Sequence, residues 1–339
     1  MFKRAAAGFL VLVSSFALLT PPLAAAEAVP AEVRFAYAGG PRVWILGKID
    51  ASFDKAFATK VKWIAFNSGA DVLTLFAAKE IDIARFGSSP AAAGIARKLP
   101  IEIIGVPEVI ATSERLIARK GINSLKDLEG KAVAYPANST AQYAFEVAVK
   151  LAGADRSKIR GVALKPPEIV AAWKRNDIDA AYVWGPFSHQ LEADNGKEIF
   201  ATRDLQKSGV LVFNNFAVRK EFAEKHPEIV AKFLRVVQEK VDQYKKDPEG
   251  SAQLIAKHLD VPLENVRSTL AGLEYPSLAE QLTPSFIGNE SSKADSRITK
   301  SYKDTAEFLA QIGEIRKEDI PASYAPAINT TFLQRALAK

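Results

Sequence analysis

The chain has 339 residues, of which 48% are hydrophobic and 25% are charged, and it contains no cysteine. This length is sufficient for two domains with separate cores, and the lack of cysteine excludes disulfides, thiol chemistry and zinc-thiolate sites. The formal net charge is +6, and Lys and Arg are interspersed with Asp and Glu, so the sequence has no basic stripe of the kind that binds nucleic acid.

The first 26 residues have the pattern of a secretory signal peptide. Lys3 and Arg4 are followed by an apolar run at 5–19 and by the small residues Ala24-Ala25-Ala26, as in a leader that is cleaved. An uncleaved membrane anchor is the alternative, but the run is short for a span, and no later segment reaches the ~18 apolar residues that a span needs. We therefore expect cleavage after residue 26 and a periplasmic protein.

Beyond residue 26, strand patterns alternate with helix patterns, which predicts βαβ units and mostly parallel sheets. The predicted strands lie at 33–37, 60–66, 81–86, 101–106, 131–135, 160–164, 179–183 and 211–218. Two further apolar strings, Leu116–Lys120 and Phe216–Lys220, both end in Arg-Lys. They either mark two places where the chain crosses between domains or match by coincidence. The C-terminal third is predicted to be mainly helical.

Three polar turns each follow a predicted strand and open a predicted helix. They are Asn67-Ser68-Gly69, Gly87-Ser88-Ser89 and Asn138-Ser139-Thr140. The first N–H groups of a helix lack internal partners and carry partial positive charge, so they can bind an anion. Because ligands of open α/β sheets bind at the carboxyl ends of strands, the turns predict a shared cleft. Helix capping without any ligand remains the alternative.

A serine nucleophile is a weaker interpretation of Ser88 or Ser89. The stretch 87–91 reads Gly-Ser-Ser-Pro-Ala, which is not a G-x-S-x-G elbow, and a triad would need a histidine beside the serine. The chain has three histidines, and we find no HExxH, P-loop or Rossmann motif, so a metal or nucleotide site is not predicted. From these residues we expect no catalytic activity and no cofactor.

Trp184 stands between a predicted strand and Gly185-Pro186. An indole in this place either fills the core or covers the alkyl part of a small ligand, and the sequence leaves both interpretations open. Trp173 lies in the middle of the predicted helix 166–175 and is expected in the core.

Several strings resemble the periplasmic substrate-binding proteins of taurine and alkanesulfonate ABC transporters. They are Phe66-Asn67-Ser68-Gly69-Ala70, Gly87-Ser88-Ser89-Pro90, Leu99-Pro100-Ile101-Glu102, Ser139-Thr140, PPEIVAAWKR at 166–175, DIDAAYVWGP at 177–186 and VRKEFAEKHPE at 218–228. The resemblance covers most of the chain after residue 26. The wider family includes binding proteins for nitrate and for thiamine precursors.

The resemblance implies an α/β protein with the type II periplasmic-binding-protein fold, in which two doubly wound lobes are joined by two crossover strands and close on a ligand held in the cleft between them. It implies one lobe at 27–113 and 215–339 and the other at 114–214. It also implies that serine-rich turns hold a sulfonate and that Trp184 covers its alkyl part. The ligand-binding residues expected by position are Asn67, Ser68, Ser88, Ser89, Ser139, Thr140, Trp184 and Asn214.

Two positions depart from the family's taurine binders, which carry Asp where this chain has Asn67 and Asn214. An amide offers no full charge to a ligand ammonium, a difference of ~1–3 kcal/mol in a dry cleft, so a sulfonate without an amine is also a candidate. Gly39-Gly40 replace more polar residues of the family, which predicts a wider pocket.

The function implied by the resemblance is that of a monomeric periplasmic protein that delivers taurine or a related small sulfonate to an ABC permease in the inner membrane. The alternatives are a binder of another small anion or of a pyrimidine, and a secreted hydrolase that uses Ser88 or Ser89.

Overall fold

The computed structural model describes residue 1 and residues 29–338, and the predicted signal peptide lies outside the part that we interpret. Within this part, no helix has the length and apolar character needed to cross a membrane. The strands are β1 Glu32–Ala38, β2 Lys60–Phe66, β3 Ile83–Gly87, β4 Ile101–Ile110, β5 Glu114–Ala118, β6 Ala132–Tyr135, β7 Arg160–Ala163, β8 Ala180–Trp184, β9 Lys197–Ala201, β10 Phe213–Arg219 and β11 Leu273–Glu274.

Helices follow most strands, as the alternating pattern predicts, and dominate after β10. They are α1 Ile45–Ile49, α2 Ser52–Phe57, α3 Gly69–Ala77, α4 Ser88–Ala96, α5 Thr140–Leu151, α6 Pro166–Lys174, α7 Phe187–Ala193, α8 Arg203–Gln206, α9 Lys220–Lys225, α10 Pro227–Lys246, α11 Pro248–Leu259, α12 Leu263–Ala271, α13 Leu278–Gln281, α14 Arg297–Gln311 and α15 Thr331–Leu337.

The strands of residues 29–338 form two sheets. The first has the order β11-β4-β10-β3-β1-β2, and the second has the order β7-β6-β8-β5-β9. Pairing is parallel between β1 and both of its neighbours and between β6 and both of its neighbours. Strands β10 and β5 run antiparallel to both of their neighbours, and the edge strand β11 pairs antiparallel to β4. The prediction of mostly parallel sheets is wrong for these three strands.

The chain passes between the sheets twice, through residues 111–113 and 202–212. The matching strings Leu116–Lys120 and Phe216–Lys220 lie just after these passages, within or at the end of β5 and β10, so they follow the crossings. Gly272 holds the first passage, because its carbonyl accepts hydrogen bonds from the N–H groups of Ala111 and Ser113 at 3.0 and 3.1 Å. Below, lobe 1 and lobe 2 denote the elements packed on the first and the second sheet.

An aromatic cluster in lobe 1 fixes the connection that follows β1. Trp44 is fully buried, stacks on Trp63 at 5.7 Å and meets Phe35 edge-on at 5.2 Å. Phe216 and Phe233 meet edge-on at 4.8 Å and tie β10 to α10. Such pairs contribute about 0.5–1.5 kcal/mol beyond the burial of their area. Residues 39–43 thus end at a fixed residue, Trp44, and Gly40 lies beside lobe 2, because a Cβ added to it would stand 3.1 Å from the Gly185 carbonyl oxygen.

Candidate functional site

A cleft lies where the two lobes face each other, and it has about 470 Å³ of space, counted to its open mouth. Residues from both lobes line it. They are Ala38, Arg42, Phe66, Asn67, Ser68, Gly69, Arg85, Phe86, Gly87, Pro90, Glu114, Asn138, Ser139, Thr140, Trp184 and Asn214.

The sheet topology explains why these residues meet. The parallel strands β1, β2, β3 and β8 end at the cleft, as expected for ligand sites of α/β proteins. Because β5 and β10 run in the opposite direction, their first residues reach the same edge. This reversal brings Glu114 and Asn214 into the cleft.

Helices α3 and α5 both begin at the cleft with a serine cap. The Ser68 hydroxyl oxygen accepts a hydrogen bond from the Asp71 N–H at 3.2 Å, and its own hydrogen stays available to a ligand. The Ser139 hydroxyl accepts from the Gln142 N–H at 3.1 Å and donates to the Pro136 carbonyl at 2.6 Å. Capping and ligand binding are thus compatible at Ser68, whereas the Ser139 hydroxyl hydrogen already has a partner within the protein.

Helix α4 begins with Ser88 and Ser89, and both side chains are fully buried. Neither hydroxyl oxygen has a hydrogen-bond partner among the described residues. The two serines are not part of the cleft lining, although Gly87 and Pro90 on either side of them are. This helix start therefore reaches the cleft lining through Gly87 and Pro90, with the two buried hydroxyls between them in the chain.

The two lobes touch across the cleft. A Cβ added to Gly87 in lobe 1 would stand 2.7 Å from Cγ2 of Thr140 in lobe 2. At the rim, Nε2 of His189 and Oγ of Ser268 lie 3.1 Å apart. The structure is thus a form in which the lobes are close enough to enclose a small molecule.

Four buried charged side chains lie in or behind the cleft wall. Arg85 donates from Nε and Nη2 to the same Glu108 oxygen, at 3.0 and 2.7 Å. Burial raises the pKa of Glu114 to about 7, although a hydrogen bond from Thr140 and the nearby Arg42 and Arg85 oppose the shift. Burial and the like charge of Arg85 lower the pKa of Arg42 to about 10, so Arg42 stays charged at neutral pH.

Comparison with known proteins identifies the family. The model of the family described as NMT1/THI5 like matches residues 59–251. The chain belongs to the NMT1/THI5-like family. It is 32% identical over 315 residues to the taurine-binding periplasmic protein of Escherichia coli K12. The alignment covers 91% of this chain and 94% of that relative.

Solved structures show the fold of this NMT1/THI5-like protein. The alkanesulfonate-binding protein SsuA from Xanthomonas axonopodis pv. citri, bound to MOPS, matches with a TM-score of 0.73 and 19% identity, over 89% of this chain and 99% of that one. The desulfurization enzyme DSZB matches with a TM-score of 0.66 and 12% identity, over 91% and 99%. The predicted periplasmic-binding-protein fold is confirmed, and the fold by itself also occurs in an enzyme.

In this NMT1/THI5-like protein, six of the eight residues predicted from the sequence line one cleft. They are Asn67, Ser68, Ser139, Thr140, Trp184 and Asn214. Ser88 and Ser89 lie behind its wall. The ligand contacts of all eight residues remain predictions. Within residues 29–338, His, Asp and Glu form no group of three that could hold a metal ion.

Four charged residues in or behind the cleft wall were not predicted from the sequence: Arg42, Arg85, Glu108 and Glu114. A signal was present, because Arg85 and Glu108 stand within apolar strand segments, and charged residues are rarely buried unless they are paired. Arg42 follows β1 directly after Gly39-Gly40-Pro41, at a carboxyl end where ligands bind.

Proposed function

We propose that this protein captures a small organic sulfonate, taurine or a relative of it, in the periplasm and delivers it to the membrane permease of an ABC importer. The observation that carries the proposal is the cleft itself: it combines the starts of α3, α4 and α5 with an arginine and an indole. The similarity to a taurine-binding periplasmic protein over most of both chains supports the same conclusion.

A sulfonate suits the polar end of this cleft. Its three oxygens accept hydrogen bonds, and the first N–H groups of three helices together with the free hydrogen of Ser68 donate them. Each of these helices has at least nine residues, so its dipole favours an anion at its start. Trp184 is partly buried at the end of β8 and offers an apolar face to an alkyl chain.

Asn67 and Asn214 offer no full charge to a ligand ammonium, and on their account a sulfonate without an amine was a candidate ligand. Glu114 changes this expectation, because it brings a carboxyl group into the cleft. One oxygen of the Glu114 carboxylate accepts from Thr140 at 2.6 Å, and the other has no hydrogen-bond partner within residues 29–338. A ligand ammonium would pair with this second oxygen. We therefore expect taurine to bind at least as tightly as ethanesulfonate at pH 7 and above.

We further propose that the protein binds its ligand without changing it. A nucleophilic serine needs a base within hydrogen-bond reach, and neither Ser88 nor Ser89 has any hydrogen-bond partner in the described chain. Assays of purified protein with simple esters are expected to show no turnover. Hydrolysis that disappears in Ser88→Ala would support an esterase and contradict the proposal.

Calorimetry tests the ligand class. Purified protein is titrated with taurine, ethanesulfonate, butanesulfonate and sulfate, and with nitrate and a thiamine-precursor pyrimidine as the alternatives within the family. Binding of the first three and weak binding of the others supports the proposal. If nitrate or the pyrimidine binds and no sulfonate does, the protein serves another ligand on the same fold.

A further inference from the structure

Arg42 is a buried cation in the cleft wall without a carboxylate partner. It is 4% exposed. Nη1 donates to the Pro41 carbonyl at 2.6 Å, and Nε has no hydrogen-bond partner. Among the described residues, no carboxylate oxygen lies within the 4.0 Å of an ion pair to this guanidinium, in contrast to Arg85, which pairs with Glu108 at 2.7 Å.

The neighbouring acids leave the charge of Arg42 uncompensated. Glu108 is held by Arg85 through two hydrogen bonds. Glu114 accepts its one hydrogen bond from Thr140, and among the described residues it forms no ion pair with the Arg42 guanidinium. The nearby Arg85 adds to the positive potential and contributes to the lowered pKa of Arg42.

A buried guanidinium without a counter-ion is costly, because it loses water and gains no opposite charge. Arg42 is also held in place, since Trp44 two residues later is fixed in the aromatic cluster of lobe 1. The protein thus keeps a cation without an ion-pair partner among the described residues in the lining of the cleft. The missing charge is one that an anionic ligand supplies.

We propose that Arg42 is the residue that neutralises the sulfonate group of the ligand and selects singly charged anions. This inference rests on the proposed function, since it assumes a sulfonate in the cleft. A planar guanidinium can donate to two sulfonate oxygens at once, while the helix starts serve the remaining one. One uncompensated positive charge matches one negative charge, so sulfate, a dianion at neutral pH, binds less tightly than ethanesulfonate.

The test compares Arg42→Met with wild-type protein. Affinity for taurine and ethanesulfonate, measured by calorimetry, falls roughly 30-fold or more, the range for truncating one partner of a buried charge pair. The melting temperature of the ligand-free protein stays the same or rises, because the variant removes a buried charge that lacks a partner. Arg42→Lys keeps the charge but loses the planar fork and gives an intermediate affinity.

Two matched variants complete the design. Arg97→Met, on an exposed arginine that bonds the Glu314 carbonyl, removes the same charge far from the cleft and leaves binding unchanged. Arg85→Met breaks the buried pair with Glu108 and lowers the ligand-free melting temperature, which Arg42→Met does not do.

The outcomes distinguish a wrong role for Arg42 from a wrong proposed function. If wild-type protein binds sulfonates and Arg42→Met binds them equally well, the role of Arg42 is overturned and the proposed function stands. If wild-type protein binds no sulfonate, both are overturned. A ligand-free melting temperature that falls as far in Arg42→Met as in Arg85→Met shows that Arg42 serves the fold, which also overturns the inference.

Discussion

Thr140 donates a hydrogen bond of 2.6 Å to one carboxylate oxygen of Glu114, and in the part of the chain that the structure describes the other oxygen has no partner. Burial raises the pKa of this carboxyl to about 7, and neither Thr140 nor the nearby Arg42 and Arg85 cancels that effect. Glu114 therefore changes its charge near neutral pH, inside the cleft. The change of charge affects both the stability of the ligand-free protein and its affinity for ligands.

The first prediction concerns the ligand-free protein. Unfolded Glu114 loses its proton near the ordinary pKa of about 4.3, whereas folded Glu114 keeps it to about pH 7. Its contribution to stability is therefore present at low pH and is lost as the pH rises to 7, by about 3 kcal/mol in total. Urea unfolding at pH 5, 6, 7 and 8 measures this loss. Glu114→Gln should remove this loss of stability. The same decline in the wild-type protein and in the variant would show that Glu114 does not cause it.

The second prediction concerns ligand affinity. A ligand ammonium favours the ionised Glu114, so taurine should bind more tightly as the pH rises from 5 to 7, by up to about tenfold per unit. Ethanesulfonate has no ammonium, and the ionised carboxylate opposes its negative charge, so its affinity should decrease over the same range. Calorimetry at each pH measures both trends. In Glu114→Gln neither the affinity for taurine nor the affinity for ethanesulfonate should change with pH. If the opposite trends persist in this variant, Glu114 is not their cause.

Much of the fold could be predicted from local patterns. The strands at 60–66, 131–135 and 179–183 were recognisable because apolar runs alternate with amphipathic helices. Strands β9 and β11 were missed, since the first is half exposed and the second has two residues. The reversed direction of β5 and β10 has no local signature, because it depends on where the chain re-enters each sheet.

The cleft could be predicted only in part, because some of its contacts join residues that are distant in the sequence. The hydroxyl residues at 67–69 and 138–140 were found because helix starts have a local sequence signal. Arg85 and Glu108 sit on β3 and β4, which are separated by β10, so their pairing appears only when the sheet order is known. The unpaired state of Arg42 is likewise a property of the assembled cleft.

A further prediction concerns Ser88, whose buried hydroxyl has no hydrogen-bond partner among the described residues. If a ligand oxygen takes this hydroxyl, Ser88→Ala lowers affinity by about tenfold, as for one lost hydrogen bond to a charged group, and leaves the ligand-free melting temperature unchanged or higher. Ser251→Ala is the matched control, because that hydroxyl on α11 is also buried without a partner among the described residues, whereas only Ser88 directly follows a residue of the cleft lining, Gly87. Equal affinity in both variants would remove Ser88 from the binding residues.

The last prediction concerns the contact that allows the lobes to close. Gly87 has an ordinary φ of −70° as the N-cap of α4, so alanine fits its backbone, and the one atom closer than 3.0 Å to an added Cβ is Cγ2 of Thr140, at 2.7 Å. Gly87→Ala should therefore obstruct closure and weaken ligand binding about tenfold or more, with little change in the ligand-free melting temperature.

A second substitution shows whether this clash is the cause. Thr140→Ser removes Cγ2 and keeps the hydroxyl that bonds Glu114, so adding it to Gly87→Ala should restore most of the affinity. Gly39→Ala is the control, because an added Cβ there meets nothing within 4 Å. Calorimetry of the single and double variants gives the coupling between the two positions. If Thr140→Ser fails to rescue Gly87→Ala, the loss comes from within lobe 1 and not from the contact between the lobes.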